Sequence, residues 1–87
     1  MNLATKFIVH LTNELAGRLP SFRIEYENKG SYENVAIVAN VNGKKYGIVT
    51  ELNENFFTSD QILRFEAERV ARSLLAIYDQ SKQDAES

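Results

Sequence analysis

The chain contains no cysteine and no tryptophan, a single proline, four glycines and a single histidine. Without cysteine there is no disulfide framework, no thiolate zinc site and no cysteine nucleophile. Small domains that work outside the cell lean on such cross-links, so the expectation is a reducing, cytoplasmic setting. No apolar run approaches the ~20 residues that span a bilayer. The stretch Phe7-Ile8-Val9 is broken at once by His10, Thr12, Asn13 and Glu14, and reads as neither a membrane span nor a signal peptide. A glycine-rich phosphate loop, a helix-borne metal motif and a serine in a strand-to-helix elbow are all missing as well. Neither sign of charge dominates: ten basic and twelve acidic residues leave −2. The last nine residues, with Asp79, Asp84 and Glu86 against Lys82, hold all of that excess, and the body of the chain is neutral. Net charge therefore gives no general pull toward a polyanion and no general barrier against one.

What is present is one small domain's worth of chain, 87 residues of which 44% are hydrophobic and 25% charged. A chain this short hides only about 60 to 65% of its unfolded surface, so its core is thin and every large apolar residue is needed. Ala4, Phe7, Ile8, Leu11 and Leu15 recur at steps of three and four, which predicts a helix over about Asn2–Ala16, closed by Gly17 and stopped by Pro20. From Ser21 the period becomes two. Phe22, Ile24 and Tyr26 alternate with Arg23, Glu25 and Glu27, the pattern of a strand with one buried and one wet face.

Two further β-prone runs, Asn34–Val41 and Lys44–Leu52, flank Asn42-Gly43. Both residues of that pair tolerate positive φ, which makes it the strongest local signal for a two-residue hairpin turn. Such a turn also sets the register. Val41 then faces Lys44, and Ala39 with Tyr46, Ile37 with Ile48 and Val35 with Thr50 share the core face. Asn40 with Lys45, Val38 with Gly47 and Ala36 with Val49 share the other.

Thr58-Ser59-Asp60-Gln61 reads as a capping box, with Phe57 and Ile62 spaced as a hydrophobic staple. A stripe of Leu63, Ala67, Val70, Ala71, Leu74, Ile77 and Tyr78 carries the second helix to about Asp79. Asp60 with Arg64 and Glu68 with Arg72 are placed for ion pairs one turn apart. Residues 80–87 contain only Ala85 as an apolar residue and are expected as a polar, disordered tail behind a single domain over residues 1–79. The fold class expected is α+β in the order α-β-β-β-α. A sheet and two amphipathic helices can bury all three apolar surfaces only if both helices lie on one sheet face.

That order, from about Leu3 to Tyr78, resembles the double-stranded RNA-binding domain. Leu15 to Tyr26 looks like the end of that family's first helix and its first strand, and Val41-Asn42-Gly43-Lys44-Lys45-Tyr46-Gly47 looks like its second hairpin. The resemblance implies three RNA-contacting regions. Glu14 could occupy the polar position late in the first helix. The loop Lys29-Gly30-Ser31-Tyr32-Glu33 lacks the Gly-Pro and the histidine that the family carries there. At the start of the second helix, Thr58-Ser59-Asp60-Gln61-Ile62 stands where the family places a lysine cluster across the phosphates. A carboxylate in place of those cations removes the main source of affinity for duplex RNA.

Candidate chemistry is sparse. His10, the one group titrating near neutrality, has only carboxylates as possible co-ligands, and a lone helical histidine packs at a boundary more often than it binds metal. Glu25, Glu27 and Glu51 could form a carboxylate pair for acid–base work or for a hard cation, but on an open sheet face they read as solvated. No cofactor is implied. The stronger candidates are surfaces. Ala36, Val38 and Val49 make a small apolar centre on the wet sheet face, with Arg23, Glu25, Asn40 and Lys45 as its rim, which is the anatomy of a protein interface. Phe56 has no assigned place in the core and could serve as an exposed anchor.

The first functional expectation is thus a non-catalytic protein-binding module, with a foreign partner or a second copy on the sheet face or edge. In size and composition only, it is similar to the inhibitor and accessory proteins that phages and mobile elements encode, anti-CRISPR proteins among them. The alternative is a diverged nucleic-acid-binding domain using Glu14, Lys44, Lys45, Arg64, Arg69 and Arg72. A third is an enzyme subunit completed by another chain.

Overall fold

The oxygen of the Asn2 side chain accepts a hydrogen bond from the Thr5 backbone N–H at 2.8 Å, capping the first helix, α1 (Leu3–Leu15), in the computed structural model. The structure describes residues 2–86, and the side chains of residues 2–82. At the other end of α1, Gly17 takes φ +76°, and the Leu19 N–H turns back to the Leu15 carbonyl at 3.0 Å. The helix ends where a residue without Cβ permits the reversal.

Three strands follow: β1 (Phe22–Asn28), β2 (Glu33–Val41) and β3 (Lys44–Leu52), antiparallel in the order β1-β2-β3. Asn42 and Gly43 adopt φ 53° and 81°, the mirror-image turn whose twist suits a hairpin. Val41 pairs with Lys44, Ile37 with Ile48 and Val35 with Thr50, as the two-residue loop requires. β1 extends the same pattern, with Phe22 beside Ala39, Ile24 beside Ile37 and Tyr26 beside Val35. Val35, Ile37, Ala39 and Val41 are buried, and the residues alternating with them are not. The fold is α+β, an open three-stranded sheet with both helices against one face.

The second helix, α2 (Asp60–Glu86), differs from the sequence expectation at both ends. Ser59 caps it in place of Thr58: the Ile62 N–H meets Ser59 Oγ at 3.3 Å, and the Leu63 N–H meets the Ser59 carbonyl at 3.3 Å. With Ser59 as the cap, Asp60 occupies the first helical position, where the positive end of the helix dipole favours a carboxylate. The shift also undoes the staple. Phe57 is buried beside Leu63, while Ile62 turns out to solvent. At its far end α2 runs seven residues past Asp79, through a stretch free of glycine and proline. Ser87 lies outside the described residues. A helix of 27 residues accounts for the 46 Å long axis of the molecule.

The core is a single cluster in which Phe7, Leu11 and Leu15 of α1 meet Leu63, Val70 and Leu74 of α2 above Val35, Ile37 and Ala39. Leu19, Leu52 and Leu75 join it, the last from just outside the stripe read in the sequence. Asn42 at the hairpin tip donates through its side-chain amide to the Ser81 carbonyl and hydroxyl of α2, which ties the tip to the long helix.

Truncating the buried side of this arrangement is expected to be costly and truncating the other side cheap. Phe7→Ala and Leu74→Ala should lose about 3 to 5 kcal/mol and about 2 to 5 kcal/mol in urea denaturation. Val49→Ala should lose less than about 1 kcal/mol. Equal losses at Val49 and Leu74 would mean that the assignment of faces is wrong.

Candidate protein-binding face

The register that buries Val35, Ile37 and Ala39 turns a second set of side chains to solvent, in four rows across the three strands. Glu27, Asn34 and Glu51 form the first row, and Glu25, Ala36 and Val49 the second. Arg23, Val38 and Gly47 form the third; Asn40 and Lys45, with Ser21 bonded alongside through its carbonyl, form the last. Successive rows stand about 6.8 Å apart. Every sequence-level candidate on this face is therefore brought together: Arg23, Glu25, Ala36, Val38, Asn40, Lys45 and Val49 share one surface.

No helix covers it. Val49 is 66% exposed, and Ala36 and Val38 are half-buried. Charge is ordered along the face. The three carboxylates of Glu25, Glu27 and Glu51 lie toward one end, and Arg23 and Lys45 toward the other. A shallow depression lined by Glu25, Glu27, Ala36 and Val49 occupies the acidic end, and a second lined by Arg23, Val38, Asn40 and Lys45 occupies the basic end. Where the two halves meet, Arg23 and Glu25 pair at 3.3 Å. Beside the acidic end, Lys29 pairs with Glu27, and the pairing holds the lysine's pKa above its usual value.

Phe56 adjoins this face. Its ring is 69% exposed and packs edge-on against buried Phe57, with centroids 5.1 Å apart. Phe56, Val49 and Glu51 line one groove with Glu66 and Arg69 of α2, so the exposed ring continues the apolar centre around the β3 edge. Sequence reasoning missed other exposed apolar residues on α2, Ile62 and Phe65. Phe65 could have been found, since it falls outside the stripe of Leu63, Ala67, Val70 and Leu74. Glu33 was missed too: it sits on the core side of β2, where its hydrogen bond to Tyr26 pushes the phenol's pKa above the usual value.

The nucleic-acid candidates lie on separate elements, and the arginines among them are paired with carboxylates. Arg64 and Arg72 both face Glu68, each at 3.8 Å, and Arg69 pairs with Glu66. Glu14 lies 3.9 Å from Arg18 at the end of α1, and Lys44 and Lys45 belong to the opposite faces of β3. Asp60 does not pair with Arg64 as expected. Its carboxylate accepts from His10 Nε2 at 3.1 Å, bridging the two helices. Among the described residues, no group of three histidines or carboxylates converges as a metal site, and no helix is long and apolar enough to cross a membrane.

No protein-family model, curated protein or solved structure matches the chain. The α-β-β-β-α order is compatible with the double-stranded RNA-binding fold, and the likeness stops at topology.

The His10 contact generates a pH prediction. The hydrogen bond from His10, helped by the nearby cations Lys6 and Arg64, holds the Asp60 carboxyl below the usual aspartate range. A carboxylate with a lowered folded-state pKa stabilises the fold above its unfolded value of about 3.9, and that contribution is lost as pH falls through the lower folded value. Asp60→Asn should thus weaken the fold at neutral pH and flatten the acid limb of a urea-midpoint profile. A variant profile parallel to the wild type down to the acid transition would show that the pair contributes nothing.

Proposed function

We propose that this chain is a non-catalytic protein-binding module that acts through the open face of its sheet. The observation that carries the proposal is an uncovered apolar centre, Ala36, Val38 and Val49, inside a rim of ordered charge. Strand propensity alone favours a valine at such a position, but the grouping of three apolar residues inside a polar rim matches an interface, whose core is apolar and whose rim is polar. Phe56 enlarges the contact at the β3 edge.

Two chemical alternatives lack this support. Duplex RNA would have to draw Arg64, Arg69 and Arg72 away from the carboxylates that pair with them, and it would meet Asp60 at the helix start, where phosphates need a cation. An active site needs a sequestered cluster of titratable groups, and the carboxylates of the open face stand in solvent. A small inhibitor or accessory protein of phage or mobile-element type, working in the cytoplasm, fits the size, the lack of cysteine and the proposed interaction surface. Its place in that class rests on those properties alone.

The test is charge insertion into the apolar centre. Val38→Glu and Val49→Glu should each abolish association, with self or with another protein, while the far-UV spectrum and the cooperativity of melting stay as in the wild type. Association that survives both substitutions would overturn the proposal. In parallel, a gel shift at low salt should show no complex with duplex RNA at tens of micromolar, and a salt-sensitive complex there would favour the nucleic-acid alternative.

A further inference from the structure

The order of charge on the open face selects an occupant. We infer that the face is covered by the same face of a second copy, related by a twofold axis that lies between the sheets and at right angles to the strands. The inference rests on the reading of this face as a protein interface and names the partner.

Two face-to-face sheets packed with their strands aligned can be related by an in-plane twofold either along the strands or across them. An axis along the strands stacks row on like row, with β1 over β3. Glu27 then faces Glu51 of the second copy, and the acidic depressions coincide, which costs free energy in the desolvated gap. An axis across the strands reverses the row order and keeps each strand over its own mate. The acidic end then covers the basic end twice. Glu25 meets the second copy's Arg23, Glu51 meets the second copy's Lys45, and Ala36 lies over the second copy's Val38. The Arg23–Glu25 pair already present in one chain becomes half of a four-membered ring of alternating charge. Sheets packed about 10 Å apart and about 30° from alignment keep these partners within side-chain reach.

Gly47 supplies an independent observation. Glycine weakens a strand interior, and it is retained there for a bulge, a bend or the close approach of another group. The β2–β3 pairing runs unbroken through Gly47, so there is no bulge. Its φ does not lie in the left-handed region, and a Cβ placed on it would make only ordinary contacts, 3.8 Å to the Ile37 carbonyl oxygen and 3.9 Å to Val38 Cγ2. Among the described residues, nothing that a Cβ at this position would meet requires glycine. The reversed stacking does, because it places Val49, the most exposed residue of the apolar centre, over the second copy's Gly47. The knob and the hole lie in adjacent rows of one strand, and the twofold brings each to the other.

Three strands by four rows present a footprint of about 400 Å² per copy. That falls at the small end of protein interfaces, so the dimer should be weak, concentration-dependent and sensitive to salt.

The decisive experiment is zero-length carbodiimide cross-linking of a mixture of isotopically light and heavy chain, read by mass spectrometry. Lys45 and Glu51 lie about 20 Å apart along one strand, too far for a link within a chain. The expected product is a mixed light–heavy Lys45–Glu51 link that disappears with Arg23→Glu and at high salt. Gly47→Val is the companion variant. It should melt no lower than the wild type yet weaken dimerisation at least tenfold in sedimentation equilibrium, because it fills the hole that receives Val49. A dimer that lacks the Lys45–Glu51 link, or that tolerates Gly47→Val, overturns the inferred pairing. A chain that sediments as a monomer at millimolar concentration overturns the second copy as occupant. That result leaves the wider reading of the face intact, since the wider reading is tested separately by whether association survives Val38→Glu and Val49→Glu.

Discussion

A residue in β2 has only two faces to choose between, and the turn at Asn42 and Gly43 makes the choice for the whole strand. Because both turn residues hold positive φ, the loop is two residues long, Val41 is locked opposite Lys44, and the pairing propagates without a bulge to Glu33 and Leu52. A slip of β2 by one residue would send Val35, Ile37 and Ala39 to solvent and bring Asn34, Ala36, Val38 and Asn40 beneath the helices. Everything else in the fold presupposes that this did not happen. The apolar stripes of α1 and α2 have one hydrophobic floor to rest on, and the same register determines which valines remain on the outside. The amide of Asn42 reinforces the arrangement by holding the hairpin tip to Ser81.

The open face follows from the same constraint and from the placing of both helices on one side. Two helices suffice to cover one side of a three-stranded sheet, and among the described residues no third element lies on the other. An ordinary solution would be to line that side with interspersed charge. Here the charges are sorted by sign along the strands and the middle is apolar, with a glycine beside the most exposed valine. Each feature is mildly unfavourable to an isolated domain. Together they support the proposal of a surface completed by another one, and the sorting of charge makes the face complementary to its own reverse.

The strands, the turn, the register and the two apolar stripes were legible in the sequence because they depend on local periodicity and on turn chemistry. So was the membership of the open face, which is fixed once the hairpin register is known. The start of α2 was legible only to within one residue: Thr58 and Ser59 are both good caps, and the choice depends on Phe57 reaching the core beside Leu63 and on Asp60 reaching His10. That contact joins residues fifty positions apart, and no local pattern announces it. The far end of α2 was misplaced because an apolar stripe marks where a helix is buried, and a polar stretch without glycine or proline can extend it. The polarity of the open face was hidden for another reason. The rows combine residues from three strands, and they appear only after both registers are laid side by side.

The central claim is that the exposed side of the sheet, rather than a helix or a loop, is where this protein meets another. Methyl-resolved NMR across a protein dilution series, or across a titration with any partner found, tests it most directly. The account requires the methyl signals of Ala36, Val38 and Val49 to move as association proceeds while those of Leu11, Val70 and Leu74 stay fixed. Movement centred on Ile62 of α2 or Val9 of α1, with the three sheet-face residues unchanged in the associated state, would contradict it.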